Sequence, residues 1–71
     1  MTNGETLKKF RQLKGFKQQT IARKLKISQQ AYAKVEQQKN VTKERLQSIL
    51  HSINSSWKEW EIFESFMVRN T

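Results

Sequence analysis

The sequence predicts an all-α fold, a compact domain of five short helices, on three observations. Proline is absent and glycine occurs only at Gly4 and Gly15, a composition that suits helices joined by tight turns and disfavours a sheet. Apolar residues recur at helical spacing along most of the chain. Ser and Thr residues with good capping chemistry stand where successive periodic stretches begin. With 71 residues there is room for one domain, residues 1–71, and no repeat, low-complexity tract or linker divides it.

Leu7, Phe10 and Leu13, with the stem of Lys14, form the inward stripe of the first helix. Thr2 with Glu5 three residues later predicts a capping box at its start. Gly15 stands where a left-handed residue would end it. Phe16 precedes a second helix with Ile21, Ala22 and Leu25 inward; Lys17 or Gln18 opens it, and neither is a strong cap. Ile27 is the apolar residue of a short turn. Ser28 caps a third helix that turns Ala31, Tyr32 and Val35 inward. Residues 37–41 read as a loop. Thr42 caps a fourth helix whose Leu46, Ile49, Leu50 and Ile53 give the cleanest amphipathic pattern in the chain. Asn54 and Ser55 break it. Ser56 with Glu59 predicts a second capping box, opening a fifth helix over about 56–68, with the last three residues frayed.

Composition narrows the function classes. Cysteine is absent and His51 is the single histidine, so disulfides, thiolate zinc sites and His-rich metal sites are excluded. No Ser/His/acid set, Gly-rich phosphate loop or evident carboxylate pair points to catalysis, so no catalytic residue, cofactor, metal or small-molecule ligand is expected. No apolar run is long enough to cross a bilayer or to form a signal-peptide core, so no membrane partner and a cytoplasmic location are expected. The net charge is +8 and unevenly spread. Between Thr6 and Lys43 there are eleven Lys or Arg residues against one acid, Glu36, while residues 55–71 carry −1. Such a surface suits nucleic acid, through phosphate neutralisation and counterion release, although a solvated basic surface has the same composition.

The second and third helices are joined by too few residues to lie antiparallel. The stretch "QQTIARKLKISQQAYAKVEQ", residues 18–37, fits a helix-turn-helix. Its first helix offers Ile21 and Leu25 to the core and the small Ala22 at the crossing. Ile27 plugs the turn, and Tyr32 and Val35 hold the second helix inward.

On these residues the chain resembles the Cro/C1-type (XRE-like) helix-turn-helix domains of phage repressors and bacterial regulators, the lambda repressor-like DNA-binding fold. The likeness covers residues 5 to about 54. "LKKFRQLKGFKQQTIARKL" is similar to the family's first two helices, "ISQQAYAKVE" to its turn and reading helix, and "NVTKERLQSILHSI" to its fourth helix. Two departures stand out. Lys26 occupies the turn position where the family usually has glycine, and a left-handed lysine there costs about 1 kcal/mol. Gln38 follows the reading helix where glycine is common.

The resemblance implies a sequence-specific regulator, a repressor by expectation, bacterial or phage-encoded and nucleoid-associated, with double-stranded DNA as partner. Helix 28–36 would enter the major groove with its N-terminal side chains at the base edges. Gln29 and Gln30 carry amides able to pair with adenine N6 and N7, and Lys34 can donate to guanine or to a phosphate. Elsewhere the same glutamines would be ordinary solvated residues. Ala31 either touches a thymine methyl or serves only as a helix former. Gln18 matches a family position that binds phosphate, and Lys17, Lys26, Lys39, Asn40 and Lys43 flank the motif as phosphate contacts that set register. Lys8, Lys9, Lys14, Arg23 and Lys24 receive no role. Glu36 is ill placed to face DNA; the resemblance implies an ion pair with Arg11, structural in purpose.

The fifth helix holds more apolar surface than one stripe needs. Trp57, Trp60, Phe63 and Met67 are the expected homodimer interface, which would space two reading helices about one DNA turn apart. Glu59, Glu61 and Glu64 read as its solvated face, and His51 as a partly exposed helix residue. The alternative is a protein-interaction module, an antitoxin or co-regulator that holds a partner protein through this Trp-rich helix.

Overall fold

The computed structural model describes residues 3–69, with side chains through Met67. Five α-helices follow in order: α1 Gly4–Leu13, α2 Gln18–Leu25, α3 Gln29–Gln37, α4 Lys43–Ser52 and α5 Trp57–Arg69. The all-α class and the five-helix count agree with the sequence expectation.

Local chemistry explains the boundaries. Ser28 Oγ accepts from the Ala31 amide at 3.0 Å and Thr42 Oγ1 from the Arg45 amide at 3.2 Å, so both expected caps are made. Ser56 and Glu59 form the reciprocal capping box, the Glu59 amide donating to Ser56 Oγ at 3.1 Å and the Ser56 amide to Glu59 Oε1 at 3.3 Å. At α1 the cap is Asn3, whose Oδ1 accepts from the Glu5 amide at 2.7 Å. Asn3 is the better acceptor and stands one residue before the helix; Thr2 lies outside the described residues.

Three helices end alike. Gly15, Lys26 and Asn54 have φ of 83°, 61° and 55°, all left-handed. After each, the next amide turns back to the last helical turn: Phe16 to the Arg11 carbonyl, Ile27 to Ala22, and Ser55 to Leu50, at 2.9–3.1 Å. These are Schellman closures, and they fold Phe16 and Ile27 onto the core. Lys26 therefore does take the left-handed conformation.

The core is one cluster of Leu7, Phe10, Ile21, Ala22, Tyr32, Val35, Val41, Leu46, Ile49, Leu50, Ile53 and Trp60. α3 packs on α1 and α2, α4 on α2, and α5 closes the bundle against α1 and α4. Two inward assignments need correction. Leu13 is 69% exposed. It follows Leu7 by six residues, which at about 100° per residue turns it far from the stripe that Phe10 and Arg11 continue. Ala31 is exposed too, because Tyr32, Val35 and Glu36 already fill the inward arc of α3.

Trp60 also needs correction as an interface residue. It is 1% exposed and meets the Phe10 ring edge to face, with centroids 5.2 Å apart and planes at 85°. Phe63 is half-buried, its ring 5.2 Å from Phe10, and Trp57 is half-buried against the same cluster. The face of α5 that points outward carries Ile62 and Phe66, 63% and 61% exposed.

Candidate nucleic-acid interface

The orientation of α3 is set by a polar junction at its C-terminal end. Arg11 Nε donates to Glu36 Oε2 at 2.6 Å and Nη2 to Oε1 at 3.2 Å, while Nη1 donates to the Phe16 carbonyl at 2.7 Å. Both residues are buried, at 7% and 6% exposure, so the pair is largely removed from solvent screening. Gln18 Nε2 donates to the same Glu36 Oε1 at 2.9 Å. One carboxylate thus ties together α1, the start of α2 and the end of α3. The sequence assigned Gln18 to phosphate alone; half of its amide donor capacity already serves Glu36, and one N–H remains.

A backbone contact supports the same end of α3. The Gly4 amide donates to the Gln38 carbonyl at 2.8 Å. A Cβ at Gly4 would stand 2.5 Å from the Glu36 carbonyl oxygen, so only glycine allows this approach. Sequence reasoning counted Gly4 only in the composition; a glycine inside the first turn of a helix was the available signal.

Tyr32 lies beneath the junction, fully buried, and its hydroxyl has no hydrogen-bond partner among the described residues. Burial, and then the neighbouring Glu36 carboxylate, push that hydroxyl far above the ordinary phenol range.

With Tyr32, Val35 and Glu36 turned inward, the opposite arc of α3 carries Gln29, Gln30, Lys34 and Gln37, all exposed. The side chains of Gln29, Gln30 and Lys34 make no hydrogen bond or ion pair within the described residues. Lys17, Lys26, Lys39 and Asn40 are exposed at the flanks. Lys17 caps α2 without a side-chain hydrogen bond, and the first amides of that helix stay open, as at any uncapped helix start. Lys43 departs from the others: its ammonium lies over the Trp57 ring, 5.9 Å from the centroid, joining α4 to α5. Lys14 pairs with Glu59 at 2.9 Å, so Glu59 belongs to a contact between α1 and α5 as well as to a solvated face. That lysine, and then the Ser56 amide, hold the Glu59 carboxyl below its ordinary range.

Among the described residues no group of acidic or histidine side chains is placed to hold a metal, and no helix is long and apolar enough to cross a membrane. Searches of curated proteins and of solved structures return no match. A helix-turn-helix family model matches residues 7–60, which takes in α1 from Leu7 onward, all of α2 to α4 and the first turn of α5. That span contains the motif, the Arg11–Glu36 junction and the exposed glutamine pair, and the chain belongs to the Cro/C1-type (XRE-like) helix-turn-helix family of DNA-binding transcription regulators.

Proposed function

We propose that the protein is a sequence-specific repressor that places α3 in the major groove of double-stranded DNA. The observation that carries this reading is the pair of exposed, unengaged amides of Gln29 and Gln30 at the N-terminus of a helix whose other end is anchored by buried polar contacts. Exposed amides on a fixed helix can discriminate adenine by a bidentate contact; on a loose helix they would only hydrate. Lys34, one turn further on, donates to guanine or to an adjacent phosphate. Lys17, Gln18, Lys26, Lys39 and Asn40 contact phosphates and set the register, while Lys43 would have to leave the Trp57 ring to join them. Occupying a promoter blocks it, so repression needs nothing beyond binding.

The working unit is a homodimer, supported by the outward apolar side chains of Ile62 and Phe66 on α5, with the half-buried Phe63 and Met67 on the same helix. Two domains joined there would address two half-sites. Sedimentation of the wild type and of Ile62→Glu tests this: the wild type should dimerise with rising concentration and the variant should not. A wild type that remains monomeric would leave the α5 face to a partner protein.

Selection of bound sites from random DNA, followed by Gln29→Ala with Gln30→Ala, tests base reading. The double variant should lose specific affinity, by about 1–3 kcal/mol for each contact removed, and keep its non-specific affinity. An unchanged ratio of the two affinities sinks the assignment.

A further inference from the structure

Lys8 had no role in the sequence, and the structure places it beside the reading helix. It lines a cleft of about 480 Å3 together with Glu5 from α1, Gln18 from α2, Glu36 and Gln37 from α3, and Lys39 from the following loop. We propose that this cleft seats a phosphodiester group of bound DNA flanking the segment that α3 reads, with Lys8 and Lys39 supplying the charge. The proposal rests on the reading of α3 as a DNA-contacting helix.

Two features make the cleft suitable for an anion despite the two carboxylates in its wall, Glu5 and Glu36. Glu36 is already neutralised by Arg11 and accepts a further bond from Gln18, so it opposes an incoming phosphate weakly. Its hold on Gln18 also leaves the second amide hydrogen of that side chain free, a neutral donor in the cleft that Lys8 and Lys39 also line. The backbone of Lys8 is held beside α3. It lies one helical turn beyond Gly4, on the same side of α1, and Gly4 is hydrogen-bonded to the end of α3. Among the described residues Lys8 has no ion-pair partner, in contrast to Lys14, which is engaged by Glu59. Glu5 is the one opposing charge in the cleft without a partner. The first two turns of α1 thereby become part of the DNA-facing surface, widening the footprint beyond the motif of residues 18–37.

The test uses the full chain, a duplex carrying the selected site and a random duplex, each over a salt series. Lys8→Gln should reduce the slope of log K against log salt by about one and weaken both duplexes equally, leaving their ratio unchanged. Glu5→Gln should strengthen both, most at low salt. Lys24→Gln, in the separate groove that also holds His51 and Ser52, is the control and should change neither slope nor affinity. A Lys8→Gln variant that behaves like Lys24→Gln overturns the proposal. The two ideas fail differently. A wild type with a slope near zero removes DNA as the partner altogether, whereas a steep wild-type slope that Lys8→Gln leaves intact removes only the cleft.

Discussion

α3 and α5 are both fastened to α1, at adjacent residues and by opposite means. Arg11 holds α3 through two hydrogen bonds to Glu36, whose direction is fixed by the planar guanidinium. Phe10 holds α5 through its contacts with Trp60 and Phe63, ring against ring. Apolar packing supplies more stability, because a buried charge pair offsets most of its attraction by desolvation. Directional bonds supply angle, and the base contact proposed for α3 needs that angle held closely. The bundle places its buried ion pair where orientation matters and its largest rings where closing the core matters.

The largest expected effects break one fastening at a time. Trp60→Ala empties the space beneath α5 and should cost about 3–5 kcal/mol. Glu36→Ala leaves the Arg11 guanidinium enclosed without its carboxylate, a loss of similar size, about 3–5 kcal/mol. Either approaches the whole stability of so small a domain, roughly 5 kcal/mol, so circular dichroism with urea titration should show unfolding at or near room temperature. The double change Arg11→Met with Glu36→Leu separates the two roles. It should recover most of the stability while the ratio of specific to random DNA affinity falls. A double variant that keeps that ratio would show that α3 needs no polar anchor.

Gly4→Ala strains the polar fastening without touching its charges. The added methyl would face two backbone oxygens, 2.5 Å from Glu36 and 2.7 Å from Gln38, and neither can rotate away. The start of α1 must shift from α3, at a cost of about 1–3 kcal/mol measured by urea titration. Lys26→Gly acts in the opposite direction. Relief of the left-handed lysine should raise stability by up to about 1 kcal/mol, less the greater freedom of glycine in the unfolded chain. If Lys26 meets a phosphate, the same variant should bind DNA less tightly, with a salt slope shallower by about one. A thermal melt beside a salt series reads both.

These contrasts also explain what the sequence disclosed. The helix-turn-helix was legible because its requirements are local: Ala22 at the crossing, Ile27 in the turn, Ser28 at the cap, Tyr32 and Val35 one turn apart. The helix ends at Gly15 and Ser56 were legible for the same reason. Where two phases compete, local pattern fails. Leu13 lies off the stripe that Leu7 and Phe10 define, and Arg11 takes the place a leucine was expected to hold. In α5 both faces are apolar, so nothing in the spacing ranks Trp60 above Ile62; packing against Phe10 decides it. Contacts between residues far apart, Lys14 with Glu59 or Gly4 with Gln38, leave no periodic trace. Lys8 acquired a place only when α1 was seen against α3.

Tyr32 gives the polar junction a sensitivity to alkali that the aromatic side lacks. Its hydroxyl keeps its proton in the folded state well past the ordinary value of 10.0, whereas the unfolded chain ionises there. The folded state then binds more protons, so this contribution is complete below about pH 10 and is lost as pH rises above it. Tyr32→Phe should flatten the alkaline arm of the stability curve. At neutral pH it should change stability by less than about 1 kcal/mol, since the hydroxyl has no hydrogen bond to lose.

The smallest effect expected belongs to the exposed contact between α1 and α5. Glu59 has its carboxyl held below the ordinary 4.5 by Lys14 first and the Ser56 amide second. A depressed folded value means that its contribution is present above the ordinary carboxylate range. It fades as pH falls through the folded value beneath that range. Glu59→Gln can keep the capping geometry, because glutamine accepts the same amide, but it gives up the charge that Lys14 meets. Urea titrations between about pH 3 and 5 should show a shallower acid loss in the variant than in the wild type, with little difference in DNA affinity. Identical acid arms would mean that solvent screens Lys14 from Glu59 completely, and that α5 is held to α1 by its rings alone.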